Sequence, residues 1–153
     1  LVEDFGYCDG EANQPLANLT VSVEGHGSGV TDENGDFEVT VGPAVEYTVS
    51  AELKGPFIDV DFLGTAGDAQ FTGTAVAGEP FQITWNQDNS KRDERDVFFH
   101  GNRSHDFMKA IDPDFTSLDY SMPTTVRNRF GICPGNAWWD GLGMSRHTSM
   151  PWS

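Results

Sequence analysis

Between positions 16 and about 85 apolar residues recur at every second position, the period of a strand with one face buried and the other in water. Leu19, Val21 and Val23 alternate with polar neighbours, then Phe37, Val39 and Val41, then Tyr47, Val49, Ala51 and Leu53. Ile58, Val60 and Phe62 continue the pattern, followed by Phe71 with Ala75 and by Phe81, Ile83 and Trp85. Roughly six or seven short strands with turn residues between them predict a small antiparallel Greek-key β-sandwich. Asn34-Gly35 within the turn Asp32-Glu33-Asn34-Gly35-Asp36 tolerates the positive φ of a tight hairpin and is expected to close the second and third strands.

After Asn86 the period lengthens. Ser90-Lys91-Arg92-Asp93 fits a capping box, with a hydroxyl for free amides, an acid three residues on, and Glu94 behind it to suit the helix dipole. A helix beginning there carries Val97, Gly101, Ser104, Met108 and Ile111 on one stripe, broadened by Phe98, Phe99 and Phe107. Asp112-Pro113 ends it, because proline excludes the helical conformation from its predecessor. A strand over 124–130 and the stretch Asn136-Ala137-Trp138-Trp139-Asp140-Gly141 lie in the turn-rich remainder. The expected fold is therefore mainly β: a sandwich domain over 1–87, then one helix and an irregular, aromatic-rich segment over 88–153.

The chain's 153 residues suit one compact domain with an appended piece. Twenty-four acids against nine bases give a net charge of -15, a field that repels phosphate backbones and anionic headgroups. Nucleic acid is thus not an expected partner, and without an apolar run near the roughly 18 residues that span a bilayer, neither is membrane insertion. Acidity, few lysines and an opening Leu1 lead to the expectation of a trimmed, extracellular or cell-surface product. In that setting Cys8 and Cys133 could bridge, contributing roughly 5 kcal/mol in the chain-entropy model. Buried thiols, or half-cystines with partners on another chain, are the other readings. Asn18-Leu19-Thr20 and Asn102-Arg103-Ser104 make Asn18 and Asn102 candidate glycosylation sites.

Candidate chemistry is sparse. Asp32, Asn34 and Asp36 alternate as in a calcium loop, but the glutamate near the twelfth position and the flanking helices are missing, so a structural turn is the preferred reading. His100 and His105 are five apart on the expected helix, whereas a helical zinc pair needs four. His105-Asp106 offers a charge-assisted contact of local structural value, while His26 and His147 have no evident metal partner. Neither H-E-x-x-H, G-x-S-x-G nor a phosphate loop occurs, so no catalytic residue and no metal ligand is assigned. Phe98-Phe99 and Trp138-Trp139 could line an apolar groove, but aromatics at this density more often form core.

Gly10-Glu11 through Pro15-Leu16 to Thr31, Gly35-Asp36-Phe37 and Tyr47-Thr48-Val49 resembles the carboxypeptidase regulatory-like, prealbumin-type β-sandwiches, mostly accessory modules of secreted proteins. Further on, Asp96-Val97-Phe98-Phe99-His100-Gly101-Asn102-Arg103-Ser104-His105-Asp106-Phe107-Met108 and Gly135-Asn136-Ala137-Trp138-Trp139-Asp140-Gly141 are similar to the region before the zinc helix of thermolysin-like and fungalysin-like metallopeptidases. That resemblance implies that Asn136 and Ala137 belong to an edge strand holding peptide by β-addition, with Trp138 and Trp139 as walls of the substrate groove. The H-E-x-x-H helix and the downstream glutamate of those families have no counterpart before Ser153, so zinc is expected only in a longer parent.

Two functions are expected on these grounds. One is a non-catalytic N-terminal portion of a secreted zinc metallopeptidase-like protein, an accessory module partnered by the peptidase half. The other is an extracellular filament or surface-layer subunit that joins copies of itself through sandwich edges and the C-terminal tail. A sandwich binding glycans through tryptophans is a third reading, carried by the aromatics alone.

Overall fold

The computed structural model describes the backbone of residues 2–6, 10–63, 67–127, 137–139 and 144–146, and the side chains of 13–63 and 67–127. The protein is mainly β with one helix, as the pattern requires. β3 (Thr20–Val23), β4 (Gly27–Val30), β5 (Glu46–Glu52) and β7 (Gln70–Val76) form an antiparallel sheet in the order β4-β3-β5-β7. Its register pairs Val21 with Ala51 and Val23 with Val49, which puts the alternating apolar set on one face. Leu19, Val21, Val23, Tyr47, Val49, Ala51 and Leu53 are all buried there.

The segments around Phe37-Val39-Val41 and Phe81-Ile83-Trp85 cover that face without forming ladders. Their apolar positions do alternate inward, so the period identified the buried face but overstated the strands. Gly29 explains how close the first segment comes, since a Cβ there would stand 2.7 Å from the Glu38 carbonyl oxygen. Opposite it, a Cβ on Gly73 would stand 3.1 Å from Phe81 Cζ. One extended segment thus lies against β4 and the other against β7.

β6 (Ile58–Phe62) departs from the expected sandwich. After Leu53 the chain reverses through a bridge from Lys54 to Asp59, with Gly55 N–H donating to the Ile58 carbonyl at 2.8 Å. β6 then runs parallel to β8 (Met122–Val126) in a mixed sheet ordered β6-β8-β10-β9, with β9 at Ala137–Trp139 and β10 at Met144–Arg146. The ladder joins a strand from 1–87 to one from 88–153, so the two stretches share a sheet. Period two fixes which face of a strand is buried and says nothing about its partner. The expected strand over 124–130 begins earlier, at Met122. β1 (Val2–Gly6) and β2 (Gly10–Gln14) form a separate antiparallel pair.

The helix α1 spans Arg92–Ile111, starting one residue later than the Ser90 box implies. Lys91 is the N-cap, and Glu94 rather than Asp93 reaches back, its Oε2 accepting from Lys91 N–H at 2.6 Å. Ser90 instead donates its hydroxyl proton to the Asn86 carbonyl and accepts from Arg95. The inward stripe is also rotated: Glu94, Phe98, Asn102 and His105 are buried, while Phe107 and Ile111 are 64% and 65% exposed. Phe98, fully buried, is the helix's main apolar contribution to the core. Gly101 permits close approach to β6, since a Cβ there would meet Ile58 Cδ1 at 2.6 Å. Asp112 adopts an extended conformation, as the residue before a proline should.

Candidate functional site

Two features of the second half are placed to meet a partner or carry chemistry. One is the end of the mixed sheet. β10 aligns Met144 with Thr124 of β8 in parallel and with Trp139 of β9 in antiparallel, leaving β9 as an outer strand among the described residues. Ala137, Trp138 and Trp139 therefore lie on an edge strand, the geometry that β-addition needs. Asn136, like Cys8, Cys133 and His147, lies outside the described residues.

The other feature is a cleft of about 490 Å³ beside α1, bounded by Phe57, Ile58, Val97, Gly101, Leu118 and Met122. His105 closes one end of it. Its position on the inward stripe and the return of the loop after Pro113 bring together groups that are distant in sequence. His105 Nδ1 lies 3.0 Å from Asp106 Oδ1, and Nε2 lies 3.0 Å from Asp119 Oδ1. Phe57 stacks on the imidazole with ring centroids 3.5 Å apart. Lys109 Nζ donates to Asp119 Oδ2 at 2.9 Å and to the Phe115 carbonyl at 3.0 Å. Hydrogen bonds from Lys109 and His105 hold the Asp119 carboxyl below the usual carboxylate range.

Through its Nε2 contact with Asp119, His105 ties α1 to the loop preceding β8. The His105-Asp106 contact was visible in the sequence. Asp119 and Phe57 were not, because only the fold brings them to the ring, although Lys109 one turn beyond His105 was an available signal.

A second charged cluster secures the start of α1. Asp93 accepts from Arg127 Nε at 2.8 Å, and Glu94 Oε1 accepts from Ala69 N–H at 3.0 Å. Burial pushes the Glu94 carboxyl up, against the opposing pull of those backbone amides. Arg95, fully buried, donates to the Ser90 hydroxyl and carbonyl.

Asp32 Oδ1 accepts from the backbone N–H groups of Asn34 and Asp36 at 2.8 and 2.9 Å, which keeps its carboxyl below its ordinary range. Gly35 supplies the positive φ at this turn. Among the described residues no group of three His, Cys, Asp or Glu side chains is placed to hold a metal ion. Asn18 is half-buried at a φ of 61°. Asn102 is 3% exposed, and its Nδ2 donates to the Phe98 carbonyl at 2.9 Å, so the nitrogen a glycan would occupy faces into the fold. His26 packs edge-on against Tyr47, and His100 is exposed. No helix among the described residues is long and apolar enough to cross a membrane. Comparison with known protein families, with curated proteins and with solved structures gives no match for this chain.

Proposed function

We propose that the chain is a non-catalytic N-terminal portion of a secreted zinc metallopeptidase-like protein and serves it as an accessory, interaction-bearing module. The observation that carries this reading is the order β6-β8-β10-β9, which leaves Ala137–Trp139 as the outer strand among the described residues. An extended peptide pairing with β9 would gain main-chain hydrogen bonds there without any catalytic group. Mass spectrometry of material purified from the natural source tests the proposal. A co-purifying polypeptide carrying H-E-x-x-H supports it, and a homogeneous 16.8 kDa species without one overturns it.

The second reading, an extracellular self-assembling subunit, draws on β7. This seven-residue strand pairs with β5 on one side and has no ladder on the other among the described residues. Electron microscopy across a concentration series decides it, because discrete monomers throughout would remove the idea.

A further inference from the structure

The layer opposite the antiparallel sheet is incomplete. One extended segment lies over the inner face at β4 and the other over the inner face at β7, and no ladder joins the two among the described residues. Between them lies a cleft of about 630 Å³, within the range of roughly 300–1,000 Å³ typical of small-molecule sites. Its floor is formed by Val23, Tyr47 and Val49, and its walls include half-buried Phe37, Val39 and Phe81. A side-chain layer left open in this way forgoes dispersion contacts that an apolar guest would restore.

Charge narrows the choice of guest. Among the described residues the lining contains three acids, Asp36, Glu38 and Glu79, and no lysine, arginine or histidine. The whole chain carries -15, so its field opposes an anion and attracts a cation. We propose that this cleft is a binding site for a small apolar molecule bearing a positive group, an aromatic or aliphatic amine, with its body against half-buried Phe37 and Phe81 and its cation toward the acidic rim. The inference is independent of peptide addition at β9.

A matched pair of probes tests it on the intact chain: 1-naphthylmethylammonium and 1-naphthylacetate, followed by calorimetry and by the NMR shift of the Ala75 methyl, which also lines the cleft. The cation is expected to bind saturably at one site, with the carboxylate weaker by about tenfold or more. Ala75→Phe should weaken the cation by a similar factor, and the double change Glu38→Gln and Glu79→Gln should narrow the preference between probes. Failure of the cation to saturate, equal binding of both probes, or shifts spread over the acidic surface and absent at Ala75 would each overturn the proposal. Should Ala75→Phe fail to fold, shift mapping on the unmodified chain still separates these outcomes.

Discussion

The antiparallel sheet and the helix-bearing half of the molecule are held together by different means. Around β3, β5 and β7 the interior is largely apolar, and beside the Tyr47 hydroxyl and the Trp85 indole N–H, Thr31 is the buried polar side chain there among the described residues. Its hydroxyl donates to the Leu16 carbonyl and accepts from Leu19 N–H, closing off a single turn. From position 90 onward Ser90, Asp93, Glu94, Arg95, Asn102, His105 and Thr124 are all buried. Burial of apolar area tolerates an incomplete layer, because it is roughly additive and non-directional. A buried charged cluster has no such tolerance, since a partner removed leaves another group desolvated and unpaired.

Five substitutions at four positions would break or sharpen that contrast. Phe98→Ala removes the main apolar contact between the helix and the core, and is expected to cost about 3–5 kcal/mol in denaturant unfolding. A loss below about 1 kcal/mol would mean that the polar cluster alone holds the helix.

Glu94→Ala leaves the amides of Ala69 and Lys91 without their acceptor, with an expected loss of about 1–3 kcal/mol. Glu94→Gln isolates the charge. Because the folded carboxyl titrates above its ordinary 4.5, the native chain holds that proton more tightly than the unfolded one. Stability should therefore fall as pH rises from 4.5 through the raised value, and the glutamine variant should lack that part of the slope.

In the apolar half, the Trp85 indole N–H is buried with no partner among the described residues. Trp85→Phe gives up buried area but also removes an unsatisfied donor, so the change in thermal unfolding should stay within about 1 kcal/mol. A much larger loss would reveal a bond to this nitrogen.

The smallest effect belongs to Asp119→Asn, read as a pH profile. Asp119 titrates below its ordinary 3.8, so its contribution is full above that value and is lost as pH falls through the depressed one. The asparagine variant should flatten this acid limb, opposite in sign to the Glu94 slope. An unchanged limb would show that His105 and Lys109 do not bind Asp119 in solution.

Alternation was enough to read the buried face of the antiparallel half, down to Val21 and Val49, because a half-buried strand has only two faces to choose between. The same rule misled at β6, whose parallel partner lies far along the chain, and at 37–41 and 81–85, where side chains alternate without a ladder. On the helix, hydrophobicity pointed to the stripe through Met108 and Ile111, whereas the buried one runs through Glu94, Asn102 and His105. Polar residues that find partners inside look like solvent-facing ones when read in sequence. Neither alternation nor composition held a hint of the pairing of Ala137–Trp139 with β10 or of the cleft beside Phe37 and Phe81.

The pairing of Ile58 with Met122 has a consequence for the order of events during synthesis. β6 leaves the ribosome well before β8 exists, so it must wait unpaired while the whole of α1 is made. Closing so long a loop comes late, because its entropic cost precedes any reward from contacts. The hairpins around β3 and β5 are free to form early, while the helix and both parallel strands should lock together in one slower, concerted step. A cut in the linker before Arg92 would thus strand β6, and the amino-terminal fragment would refold without it.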